Sequence, residues 1–219
     1  MSLTLYAHPF SSYCQKALIA FYENDTPFTF KILGLEDGAG DELAALWPMK
    51  RFPVLVDGSQ TIIEASIIIE HLHVFHPGPV RLLPDDPAEA LEVRTLDRVF
   101  DNYVQTPQQK IVFDAIRPSD DKRDPYGVAD ARASLETIYA WLDSHLEGRT
   151  WVAGKSFSMA DCSAAPALFY ADWTHPIPAQ HKNLHAYRAR LLARPSFARA
   201  VDGGRPYRAY FPLGAPDRD

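Results

Sequence analysis

Leu3-Thr4-Leu5-Tyr6-Ala7 runs through His8-Pro9-Phe10 into Ser11-Ser12-Tyr13-Cys14-Gln15-Lys16-Ala17-Leu18-Ile19, and the change of period between the two segments decides the fold class. Leu3, Leu5 and Ala7 share one face at a period of two, which predicts a strand. Cys14, Ala17, Leu18 and Phe21 recur at helical spacing, so the serine pair opens an amphipathic helix. A serine there can cap the helix by accepting from its free backbone N–H groups. The same free N–H groups, with the positive end of the helix dipole, also suit an anion, a thiolate included. This stretch alone leaves both roles open.

Outward from it, Phe28-Thr29-Phe30-Lys31-Ile32-Leu33 predicts a second strand, and Asp41 is placed to cap a short helix through Leu43, Ala44, Leu46 and Trp47. Val54-Leu55-Val56 and Thr61-Ile62-Ile63 flank the hairpin signal Asp57-Gly58. Glu64 to His76 then reads as a helix with Ile68, Ile69, Leu72 and Phe75 on one side. The order β-α-β-α-β-β-α predicts an α/β layer on a mixed four-stranded sheet.

Pro77, Pro79, Pro84 and Pro87 cannot share a regular element and mark a boundary. Beyond them no strand pattern survives. Ala88 to about Phe113 is helical with a kink or break expected at Pro107, and Val128 to Leu146 makes the cleanest amphipathic helix. Ser158-Met159-Ala160-Asp161 opens another as a capping box, Asn183 to Ala193 forms one more, and Arg199 to Asp219 is expected as an irregular tail folding back over the site. The expected division is an α/β domain over residues 1–77, a proline-rich linker over 78–87 and an all-helical domain over 88–219.

Composition narrows the function. With 22 basic against 28 acidic residues, a nucleic-acid partner is not expected. Two cysteines make no disulfide framework, Met1 to Phe10 lacks the features of a signal peptide, and no apolar run approaches the ~20 residues of a membrane span. The expectation is a cytoplasmic protein with no membrane partner.

Four motifs in this order and spacing carry a family resemblance: Ser11-Ser12-Tyr13-Cys14, Trp47-Pro48-Met49-Lys50-Arg51-Phe52-Pro53, Glu64-Ala65-Ser66 with Ile68-Ile69-Glu70-His71-Leu72, and Ser158-Met159-Ala160-Asp161. The N-terminal half resembles a thioredoxin-like fold, and nearly the whole chain resembles a cytosolic-type glutathione S-transferase, the serine pair being similar to the zeta and related serine-type classes. The resemblance implies a detoxification-type transferase that takes glutathione as co-substrate, uses no metal and forms a homodimer. It implies attack of the glutathione sulfur on a small apolar electrophile, with Ser11 donating its hydroxyl to the thiolate and Ser12 as the alternative donor. Such a donor lowers the pKa of a thiol that otherwise titrates near ~8.5.

By the same resemblance, a cis bond between Phe52 and Pro53 presents the Phe52 backbone to the peptide part of glutathione. Lys50, or Arg51 in its place, stands near the glycyl carboxylate, and Glu64 pairs with the γ-glutamyl amine. The sequence departs from the family pattern at Ala65, which carries no hydroxyl and offers only a backbone N–H. Ser66 either compensates or faces water. Phe10, Tyr103, Phe113 and Trp173 are expected to line the co-substrate pocket, with Phe169, Tyr207, Tyr210 and Phe211 as further aromatic candidates, most of them destined for packing.

Other readings carry less. Cys14 lies on the apolar helix face and reads as a buried, inert thiol, the first cysteine of a Cys-x-x-Cys pair being replaced by Ser11. His71, His73 and His76 lack an acidic or cysteine ligand at matching spacing, so no metal site is expected. Two rivals to the transferase remain: a glutathione-dependent isomerase or reductase, and a non-catalytic protein using the same two-domain shell for binding, which the Ala65 departure favours.

Overall fold

The computed structural model describes residues 3–219; Met1 and Ser2, which open the expected N-terminal domain, lie outside them. The chain begins β1 (Leu3–Ala7), α1 (Ser12–Glu23), β2 (Phe28–Ile32), α2 (Ala39–Leu46), β3 (Val54–Asp57), β4 (Gln60–Ile63) and α3 (Ala65–Phe75). The four strands lie in the order β2-β1-β3-β4, with β1 parallel to β2 and the other pairs antiparallel. Leu5 sits between Phe30 and Leu55 across the ladders, so its face continues through the sheet. One face is covered by α1 and α3 through Ala17, Leu18, Phe21, Ile68, Ile69 and Leu72. Tyr6, Leu33 and Val54 on the other face pack with Ala39 and Leu43 of α2. This is the thioredoxin-like layer expected.

No regular element lies between Phe75 and Pro87. The helical half follows as α4 (Pro87–Val99), α5 (Thr106–Ala115), α6 (Pro125–His145), α7 (Met159–Thr174), α8 (Lys182–Leu192) and α9 (Pro195–Gly204). Every residue of α7 is buried, and α1 packs against both α7 and α9, so the site helix is wedged into the second half of the chain. No helix among the described residues is long and apolar enough to cross a membrane.

Three local expectations are corrected. Asp41 does not cap α2: the N-cap is Gly38 at φ 81°, with no side-chain cap, and Asp41 lies in the first turn where its charge complements the dipole. The kink expected at Pro107 is a π-helical segment, Phe100–Gln105, upstream of it. Pro107 then stands at the join of that segment and α5, where the backbone stays helical through Gln105 and Thr106. The tail is not irregular from Arg199, because α9 runs to Gly204 and a 3-10 turn covers Arg205–Tyr210. Phe197, Ala200 and Val201 supply that helix with a buried face.

Candidate active site

The loop from β1 into α1 is held rigidly. The Ser11 N–H donates to the His8 carbonyl at 3.0 Å, and the Phe10 N–H to His8 Nδ1 at 3.2 Å. Burial lowers the pKa of His8, in keeping with a neutral ring whose Nδ1 accepts. Gln15 Nε2 donates to the Pro9 carbonyl at 2.9 Å, and the Tyr170 hydroxyl to the Phe10 carbonyl at 2.9 Å. Gly204 lets α9 press on this loop, since a Cβ there would stand 3.1 Å from Gln15 Nε2 and 3.2 Å from the Pro9 carbonyl oxygen.

The loop delivers Ser11 as the N-cap of α1, its Oγ accepting from the Cys14 N–H at a long 3.5 Å, and Ser12 as the first helical residue. Among the described residues the Ser12 and Tyr13 N–H groups have no hydrogen-bond partner, as expected for the first turn of a helix. Cys14 is fully buried, and burial pushes its thiol up to about 12, so the inert reading of this cysteine stands.

Phe10, Ser11, Ser12 and Phe113 line a cleft of about 200 Å³, joined by Gln105, Gln108, Tyr170 and the tail residues Tyr210, Phe211 and Pro212. The tail thus reaches the site. Two expected lining residues do not. Trp173 packs at 5.7 Å from Tyr170 and 5.4 Å from Phe211 behind the cleft wall, and Tyr103 is exposed elsewhere on the surface.

Gln105 and Gln108 escaped the sequence reading. The signal available was an amide pair three residues apart, so placed on one side of the helical stretch. Their orientation is fixed by a relay. The Thr174 hydroxyl donates to the Tyr170 carbonyl at 2.8 Å, so its oxygen accepts from Gln108 Nε2 at 3.1 Å. Gln108 Oε1 then accepts from Gln105 Nε2 at 3.0 Å, which leaves Gln105 Oε1 buried without a donor. Gln105, a residue of the cleft wall, therefore holds a buried oxygen without a donor.

The Phe52-Pro53 bond is cis, as expected. The Phe52 N–H and C=O make no hydrogen bond among the described residues, and Lys50 and Arg51 beside them are exposed without an acidic partner. Glu64 is exposed and holds φ 69°, ψ 121° immediately before α3, a region costly for a residue with a side chain. Ala65 is buried at the first turn of α3.

Ser66 corrects both expectations about it. It is buried, not water-facing, and its hydroxyl is fully used: it donates to Asp97 Oδ2 at 2.8 Å, accepts from Lys16 Nζ at 2.8 Å and accepts from Arg98. It therefore supplies no free hydroxyl in place of the one missing at Ala65.

Residues 5–79 match the model of the glutathione S-transferase N-terminal domain, and residues 125–190 match that of the C-terminal domain. FtsZ-localized protein A of Caulobacter vibrioides is 30% identical over 167 residues, 71% of this chain and 72% of that protein. The chain belongs to the glutathione S-transferase family.

Within that family, a probable maleylacetoacetate isomerase of Vibrio cholerae is 25% identical over 219 residues, 94% of this chain and 98% of that protein. A glutathione S-transferase from Methylobacterium radiotolerans, solved in complex with glutathione sulfonate, superposes with a TM-score of 0.78 at 27% identity, covering 92% of this chain and 95% of that one. Membership in the glutathione S-transferase family supports a glutathione-dependent activity.

Proposed function

We propose that the protein is a glutathione transferase in which the N-terminus of α1 activates the glutathione thiol. The observation that carries this reading is the convergence, on one cleft, of Ser11, Ser12 and the free first-turn N–H groups of α1. The thiolate accepts from a serine hydroxyl, Ser11 in the first instance, and lies in the field of the helix dipole. The free Phe52 backbone edge takes the peptide part, Lys50 or Arg51 the glycyl carboxylate, Glu64 the amine, and the Ala65 N–H the γ-glutamyl carboxylate.

The electrophile is small and largely apolar, to suit Phe10, Phe113, Tyr210 and Phe211. The two buried free thiols fit a reducing, cytoplasmic compartment. A homodimer is proposed through α3 and α4, which expose Ile67, Val74 and Leu91.

A second reading is a protein that keeps the shell for binding alone. Ala65 and the occupied Ser66 weaken the γ-glutamyl subsite, and the relative FtsZ-localized protein A carries an interaction in its name. Glutathione titrated calorimetrically into the purified protein, followed by thiolate absorbance of the complex, separates the two. The transferase reading expects binding with a depressed thiol pKa; no heat and no thiolate band leave the binding module.

A further inference from the structure

At the end of the N-terminal domain away from the cleft, the β3–β4 turn meets the C-terminus of α3. Asp57 is the last residue of β3, with Gly58 turning the chain at φ 58°. His71 lies in the penultimate turn of α3 and His76 is its C-cap. Their Nε2 atoms both approach the same carboxylate oxygen, Asp57 Oδ2, His71 at 2.9 Å and His76 at 2.7 Å. The three ligand atoms all lie within 4.8 Å of one another. The sequence showed no carboxylate at matching spacing; folding supplies one from fourteen residues upstream of His71.

A hairpin clamp alone would need one histidine. Here two imidazoles crowd one oxygen while Asp57 Oδ1 is buried with no donor at all. Tetrahedral donors with bonds of ~2.0–2.1 Å stand ~3.3–3.4 Å apart, so the two nitrogen–oxygen separations of 2.9 and 2.7 Å have only to open by about half an ångström to admit an ion. Two imidazoles with one carboxylate is a donor set that suits a first-row transition metal and not Mg²⁺ or Ca²⁺, which take oxygen. His71 is buried while His76 is 27% exposed, so the cluster has a protein side and an open side where water completes the coordination.

We propose that Asp57, His71 and His76 form a binding site for one divalent transition metal, Zn²⁺ in the first instance, which ties the hairpin to the end of α3. The site stands apart from the cleft and does not depend on the transferase reading. Each ring must yield its Nε2 lone pair, its proton moving to Nδ1 or to solvent, and Asp57 Oδ2 then binds the ion in place of two N–H donors.

The test uses the untagged full chain, stripped with EDTA, dialysed and titrated with Zn²⁺ by calorimetry, with Co²⁺ absorption as a spectroscopic probe. One equivalent of Zn²⁺ is expected, with a rise in melting temperature. His71→Ala, His76→Ala and Asp57→Asn should each weaken binding at least ~10-fold. His73→Ala, one turn away and outside the cluster, should bind as the parent does. His76→Ala stands at a partly exposed cap and serves as the decisive variant should His71→Ala not fold. Absence of binding at about 1 mM Zn²⁺, or binding undiminished in His76→Ala, overturns the proposal and leaves a hydrogen-bonded clamp.

Discussion

Ser66, in the first turn of α3, donates its hydroxyl to Asp97 Oδ2 of α4 at 2.8 Å, joining the α/β layer to the helical half through a buried polar cluster. Lys16 is the centre of that cluster. It is 1% exposed and lies 2.7 Å from Asp97 and 2.8 Å from Asp101. Arg98 closes the cluster at its solvent edge, 2.7 Å from Asp101. A lysine so deeply buried is tolerable only because two carboxylates offset its charge and Asp101 and the serine accept from it.

Ser66→Ala should therefore act on stability. It removes one acceptor from Lys16 and one donor from Asp97 in a dry setting, a loss of about 1–3 kcal/mol. Denaturant unfolding reads the stability, and calorimetry reads glutathione affinity, which should be unchanged. Lost affinity at unchanged stability would instead place Ser66 on the ligand.

Asp97→Ala should be the more severe change. It leaves the Lys16 charge buried against Asp101 alone, and breaking a buried pair in this way costs about 3–5 kcal/mol. Unfolding of the variant within about 1 kcal/mol of the parent would show that the cluster relaxes around the gap.

Ser11→Ala tests the thiolate mechanism. A hydrogen bond to a charged acceptor is worth about 1.5–3 kcal/mol, and one pKa unit is about 1.36 kcal/mol. The pKa of bound glutathione should rise by roughly one to two units, followed by thiolate absorbance against pH, while affinity holds. A large shift in Ser12→Ala instead moves the donor by one residue. No shift in either variant favours the binding module.

Asp161→Ala should impair folding and spare the site. Asp161 Oδ2 accepts from the Ser158 N–H at 2.9 Å and its hydroxyl at 3.0 Å, and Oδ1 from the Val152 N–H at 3.0 Å and the Tyr187 hydroxyl at 2.6 Å. Loss of the cap costs ~0.5–2 kcal/mol, and the stranded Val152 and Tyr187 donors add about 1–3 kcal/mol each. Burial raises the pKa of Asp161, so the native state holds this proton more tightly than the unfolded chain. By that sign the group favours folding most below the unfolded carboxylate value of ~3.9, and less as pH rises towards the folded value. Asp161→Asn, titrated alongside the parent by thermal melts, should flatten this dependence.

Neither cysteine should react in the native protein. Burial pushes the Cys14 thiol up to about 12 and raises that of Cys162 well above its ordinary value. At pH 8 a thiol titrating at about 12 is thiolate only ~1 time in 10⁴. A chromogenic disulfide should label neither thiol natively and both in denaturant; a fast-labelling native thiol would refute the inert reading of Cys14.

The N-terminal α/β order, the opening of α1 at the serine pair, the break in regular structure at the prolines and the Ser158–Asp161 box were all determined by the sequence alone. Each rests on contacts within a few residues: a change of period, a missing N–H, a cap reaching three positions on. Where a local rule met tertiary packing, packing won. Gly38 in the left-handed region displaced Asp41 as a cap, and the buried face of Phe197, Ala200 and Val201 made a helix of what read as tail. The polar chemistry lay further out of reach. That Ser66 faces Asp97 and not ligand or water, that the Gln105 amide oxygen is left without a donor, and that Asp57 meets His71 and His76 all depend on segments brought together by the sheet and the domain interface. The reason is physical. A hydrogen bond or an ion pair is made by distance and direction in space, and separation along the chain carries no record of either.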